Sequence, residues 1–87
     1  MWTILLHNNT ITVRFTQSSR RHRVGRRRIV SVMNDEMPRI TVRDDGVVEC
    51  AWLGPDDRGV VIEVTALVID GTLLVIHAMP AALRRRP

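Results

Sequence analysis

The sequence predicts an α+β fold: a short N-terminal strand, one or two helices, and then a four-stranded antiparallel β-meander. Three observations carry this expectation. Two Asp-Gly pairs, Asp45-Gly46 and Asp70-Gly71, each sit between runs of β-type residues, the pattern of hairpin turns whose two central positions need positive φ. Upstream of them, Ile29, Val32 and Met33 recur at helical spacing. The 87 residues are 45% hydrophobic and 25% charged, the composition of one small folded domain rather than of a disordered chain or a disulfide scaffold.

In chain order, Thr10–Phe15 alternates like a strand and is rich in β-branched residues. Thr16, Ser18 or Ser19 offers a hydroxyl to cap a first helix over Arg20–Val24, with Gly25 as a stop or kink. A second helix runs from about Arg26 to Glu36 and ends before Pro38. The first hairpin joins Arg39–Asp44 to Val47–Leu53 and the second joins Val60–Ile69 to Thr72–Met79. Between them lies Gly54-Pro55-Asp56-Asp57-Arg58-Gly59, too polar and too rich in Gly and Pro to continue a strand.

A two-residue turn at Asp70-Gly71 pairs Ala66 with Val75 and Val64 with His77. That register places His77 on the apolar, helix-facing side and Glu63 on the other side. It also gathers Met79, His77, the loop 54–59, Trp52 and Arg39 at one end of the sheet, where a site is expected. Cys50 and Trp52 alternate on one strand face as packing residues, and Trp2 anchors the N-terminus.

The charge is segregated. Residues 1–34 hold seven arginines and no acid, residues 35–79 hold nine acids against three arginines, and Arg84-Arg85-Arg86 makes the end basic again. Such a basic segment suits an anionic partner, either nucleic acid or an acidic face of another protein. The three histidines and the lone Cys50 show no metal-ligand spacing, and no Gly-rich phosphate loop or GxSxG elbow is present. Neither a metal nor any other cofactor is therefore expected. Cysteine usage and the lack of a signal-peptide pattern or a long apolar run point to the cytoplasm and away from the membrane.

What fits is metal-free acid–base chemistry of the kind that cleaves RNA through its own 2′-hydroxyl. His22, Asp57 and His77 are the candidates for proton transfer, and Arg20, Arg21, Arg23 and Arg58 for holding phosphate. Each also has a structural role to fill: His22 as a helix-stripe residue, His77 as a strand-end residue, and Asp56 and Asp57 as turn residues that pair with Arg58.

Phe15-Thr16-Gln17-Ser18-Ser19-Arg20-Arg21-His22-Arg23-Val24-Gly25, Trp52-Leu53-Gly54-Pro55-Asp56-Asp57-Arg58-Gly59 with Glu63, and Leu74-Val75-Ile76-His77-Ala78-Met79-Pro80 together resemble small actinobacterial toxins of type II toxin–antitoxin pairs, similar to the BrnT and RelE-like group. The resemblance spans roughly Val13 to Arg84. It implies a compact sheet packed by helices, a cognate antitoxin as partner, and RNA cleavage or translation inhibition, with RNA bound free or on the ribosome. RelE-like ribonucleases commonly use Lys, Arg and a Tyr or His, and this chain departs from them in having no lysine and no tyrosine. The rival expectation is a non-enzymatic basic protein that docks an acidic antitoxin or nucleic acid. In domain terms residues 1–87 form one unit, with 1–12 as an extension ahead of the resemblance and 84–87 as a basic tail.

Overall fold

The computed structural model describes residues 1–84; Arg85 and Arg86 of the expected basic tail lie outside the described residues. The fold is α+β, with one six-stranded sheet in the order β1-β2-β6-β5-β4-β3 and one α-helix, α1, on one of its faces. The strands are β1 (Trp2–Leu6), β2 (Asn9–Phe15), β3 (Arg39–Val42), β4 (Val48–Pro55), β5 (Val61–Ile69) and β6 (Thr72–Pro80). Strands β3 to β6 run as an antiparallel meander, and β2 adds to it parallel to β6. The sheet is thus two strands wider than the meander that the Asp-Gly pairs announce.

The extra width comes from an N-terminal hairpin. Residues 1–12 are built into the sheet: β1 pairs with β2 from Trp2↔Val13 to Leu6↔Asn9, and Ile4 enters the core. The turn is His7-Asn8, with φ of 51° and 66°, and asparagine is among the residues that tolerate this left-handed conformation. At Asp70-Gly71 φ is 50° and 73°, the expected tight turn. Asp45-Gly46 behaves differently. Only Gly46 has positive φ, the loop closes with Arg43 N–H bonded to Val47 O at 2.9 Å, and Asp45 Oδ1 accepts from Val47 N–H. Asp45 therefore acts as a side-chain turn former in a wider loop.

The helix is α1 (Arg26–Asp35), bounded by Gly25 and Glu36. It buries Ile29, Val30, Val32 and Met33, the stripe expected from sequence. The expected first helix over Arg20–Val24 does not form. One 3₁₀ turn at Ser18–Arg20 takes its place, because Thr16 and Ser18 direct their hydroxyls to β6 as well as to local backbone. Helix α1 packs against β1, β4 and β5. Strands β1 and β4 are four steps apart in the sheet, about 19 Å if flat, whereas a helix is about 10–12 Å across. The sheet therefore curves around α1, enclosing Trp52, Ile62, Val64, Ala66, Leu73, Val75 and Ala78 with the helix stripe. Cys50 and Trp52 are buried together as packing residues.

One irregularity decides where the site lies. In the β5–β6 pair the register runs Ile69↔Thr72 to Ala66↔Val75 as the turn dictates, but then shifts so that Thr65 faces His77 and Val64 faces Ala78. Ile76 is the extra residue of a β-bulge. Beyond it the side chains of β6 change face relative to simple alternation. His77 consequently leaves the apolar face to which uninterrupted pairing assigns it, Ala78 takes the buried position, and Glu63 and His77 share the open face.

Candidate functional site

The open face carries a row across four strands, Arg39 on β3, Ala51 on β4, Thr65 on β5 and His77 on β6, set by their direct pairings. Glu63 is a diagonal neighbour of His77, a spacing that long side chains bridge. His77 Nε2 and Glu63 Oε1 are 2.9 Å apart, and Arg84 Nη1 lies 3.4 Å from Glu63 Oε2. The Glu63 side chain is 17% exposed, His77 36% and Arg84 70%. Glu63 Oε2 is itself buried and makes no hydrogen bond among the described residues.

His22 joins this group from another part of the chain. Its ring lies edge-on to His77, with centroids 6.1 Å apart. The bulge makes this approach feasible. Thr16 N–H and Thr16 Oγ1 both donate to Val75 O at 3.0 Å, and Ser18 Oγ donates to Ile76 O at 3.0 Å. Ser19, fully buried, donates its hydroxyl to Thr16 O at 2.6 Å. The carbonyls at the bulge thus hold the turn that leads into His22, and the same bulge turns His77 to meet it.

The other predicted residues go elsewhere. Asp56, expected near His77, is buried against α1: its Oδ2 takes the Arg28 Nε–H at 2.5 Å, and its Oδ1 accepts from Arg58 N–H at 2.8 Å and Val60 N–H at 2.9 Å. Burial alone would raise its pKa, but the Arg28 side chain and the two backbone donors outweigh burial and hold the carboxyl below its ordinary value. Asp57 and Arg58 are exposed in the turn after β4. Thr65, opposite His77, is four residues into the sheet from Val61, about 13 Å along the strand, so the loop 54–59 and His77 are not neighbours. Arg20 and Arg23 line an open depression with Trp2, Arg26 and Arg27 at the start of α1. Arg21 is exposed beside His22.

Sequence reasoning assigned no role to Glu63, Arg39 or Arg84 in the chemistry. With Ala51, Leu53 and Thr65, these three line an open cavity of about 140 Å³, whose wall includes Glu63, the partner of His77. No local pattern flags a carboxylate as the partner of a histidine 14 residues away when a bulge determines whether they share a face. Among the described residues no group of three or more His, Cys, Asp or Glu side chains is placed to hold a metal ion, and no helix is long and apolar enough to cross a membrane. The arrangement can hold an imidazole in one tautomer, bring a second imidazole beside it, and present guanidinium groups to an anion. The chain matches no protein-family model, no curated protein and no solved structure.

Proposed function

We propose that this protein is the toxin of a type II toxin–antitoxin pair and cleaves RNA without a metal, using His22 and His77 as its acid–base pair. The observation that carries this reading is the two imidazoles at 6.1 Å, one of them hydrogen-bonded to the Glu63 carboxylate. Glu63 accepts the Nε2–H of His77, which leaves the lone pair of the neutral ring on Nδ1 and makes His77 the base. His77 Nδ1 takes the proton of an RNA 2′-hydroxyl, and the 2′-oxygen attacks phosphorus. His22 gives its proton to the departing 5′-oxygen, yielding a 2′,3′-cyclic phosphate and a free 5′-hydroxyl. Arg84 and Arg39 stand on the same face for the charge that grows on phosphate. The predicted phosphate binders Arg20, Arg21 and Arg23 extend the basic surface beyond His22. A RelE/BrnT-like fold is part of the same proposal, supported by one helix packed on a sheet whose last four strands form a meander.

The test is cleavage of a mixed-sequence RNA by purified protein in excess EDTA, with the termini of the products identified. Cyclic phosphate ends are expected, and His22→Ala or His77→Ala should each lower the rate by about 10²–10⁴-fold. Full cleavage by the folded double variant, or none by the native protein, overturns the proposal.

The second reading, a non-enzymatic binding protein, draws on β3. This edge strand is exposed along its whole length, with Ile40 at 54% and Val42 at 69%, and unpaired edges accept a further strand. If the antitoxin pairs with β3, replacing Val42 by proline weakens that complex while leaving RNA cleavage by the free protein unchanged.

A further inference from the structure

Trp2 is half-buried at the rim of the core, opposite Val13 in the β1–β2 pair, and its ring meets that of Phe15 edge-on with centroids 6.4 Å apart. Two open depressions of about 450 and 520 Å³ adjoin there, and Trp2 and Arg26 line both of them. The first has Arg14 in its wall as well, and the second has Arg20, Arg23 and Arg27; no Asp or Glu lines either one. Among the described residues arginine pairs with a carboxylate only at Arg28, Arg43 and Arg84, so these five guanidinium groups have no acidic partner there. Arg26 lies over the Phe15 ring, 5.4 Å from its centroid, a contact that holds the cation in place without neutralising it. Arg23 has a φ of 57°, a backbone conformation that suits glycine or asparagine better than arginine. An arginine is nevertheless kept at the point where the chain passes from His22 toward α1.

We infer that this surface binds an unpaired stretch of nucleic acid, with one base stacked on Trp2 and the neighbouring phosphates held by the arginines of the two depressions. The inference deepens the reading of the protein as a ribonuclease and rests on it only for the identity of the strand, which is the part of the RNA substrate outside the bond being cut. A single strand alternates flat aromatic faces with negative charges, and the surface answers in kind, with an indole between two groups of arginines. Arginine suits phosphate, which it meets with parallel N–H donors. A base inside a duplex has both faces covered by its neighbours and cannot meet the indole, so the surface selects unpaired RNA. A run of aspartates and glutamates satisfies the guanidinium groups but offers nothing flat to the ring between them. Arg23 follows His22 directly in the chain, so the surface adjoins the residue proposed as the acid, and the same strand runs over both.

Binding can be followed without cleavage, and the molecule carries its own reporter. Trp52 is 1% exposed, so quenching of tryptophan fluorescence on binding reports Trp2. Titration of the full chain with an uncleavable 2′-O-methyl RNA hexamer should quench that signal. An abasic chain of the same length and charge, and the hexamer paired in a duplex, should bind about fivefold or more weakly and leave the fluorescence unchanged. Trp2→Leu, checked for folding by its melting transition, should lose about fivefold or more in affinity for the hexamer and nothing for the abasic chain, and Trp2→Phe should recover part of the loss. Arg27→Ala leaves the ring in place, so it should weaken both ligands alike and flatten the log–log salt slope by about 0.7. Unchanged fluorescence at saturation, equal affinity for the hexamer and the abasic chain, or hexaglutamate bound as tightly as the hexamer overturns the inference, the last in favour of an acidic protein segment. Cleavage of RNA by a protein that shows no quenching removes this surface and leaves the ribonuclease; quenching and base-dependent binding without cleavage do the reverse.

Discussion

Asp56 gathers three donors, Arg28 Nε–H and the backbone N–H groups of Arg58 and Val60, and so joins α1 to the turn between β4 and β5. Its carboxyl is held below its ordinary pKa, so the ionised form belongs to the folded state. The stabilisation is present above the unfolded value and is lost as the pH falls through the folded one. Asp56→Asn should therefore melt below the parent at pH 7, and the gap should close below about pH 4, as thermal denaturation over a pH series will show. Cys50 makes a complementary case. Burial, aided by the charge of Glu49, pushes its thiol pKa up, so a thiol reagent at neutral pH should label the denatured chain readily and the native chain far more slowly. The packing roles of Cys50 and Trp52 were legible from alternation along one strand. That of Asp56 was half legible: the turn chemistry could be read from Gly-Pro-Asp-Asp-Arg-Gly, but its partner Arg28, 28 residues away on α1, carries no mark of the pairing.

At the scale of elements the β-bulge in β6 does the deciding. Asp70-Gly71 prescribes the register, and it holds from Ile69↔Thr72 to Ala66↔Val75. Past that point one inserted residue reverses the alternation, and no glycine or proline marks Ile76 as the place. The faces of β6 were thus readable from the turn to Val75 and misread from His77 on, the stretch that contains the site. What stabilises the bulge lies outside the strand, in Thr16 and Ser18. Thr16→Val removes the hydroxyl that donates to Val75 O and accepts from Ser19 N–H. It should cost about 1–2 kcal/mol by chemical denaturation, and should slow RNA cleavage more than that loss of folded protein explains, because the turn carrying His22 loosens. In α1, by contrast, Ile29, Val32 and Met33 announced the buried face directly. Ile29→Ala should cost about 2–5 kcal/mol with no particular effect on the site of the folded protein.

Across the whole molecule, charge is sorted by position in the chain, with the basic first third reaching from β2 into α1. The depression bounded by Trp2, Arg20, Arg23, Arg26 and Arg27 and the His22–His77 face both draw on it. Affinity for single-stranded RNA should fall with a log–log salt slope of about −2 to −3, corresponding to roughly three or four neutralised phosphates, as titrations over a range of salt concentrations will measure. The sorting of charge along the chain was legible in the sequence itself. The width of the sheet was not, because β1 has no Asp-Gly turn ahead of β2 and its partnership is completed by the far end of the chain. The parallel contact of β2 with β6 has a consequence in time. Strand β2 is made early, but the strand it lies against is the last of the sheet to be synthesised, so the sheet cannot close until β6 has emerged. Contacts between such distant segments also make folding slow. A nascent copy therefore has no assembled His22–His77 pair until β6 has left the ribosome, and the activity proposed for it arises only after that point.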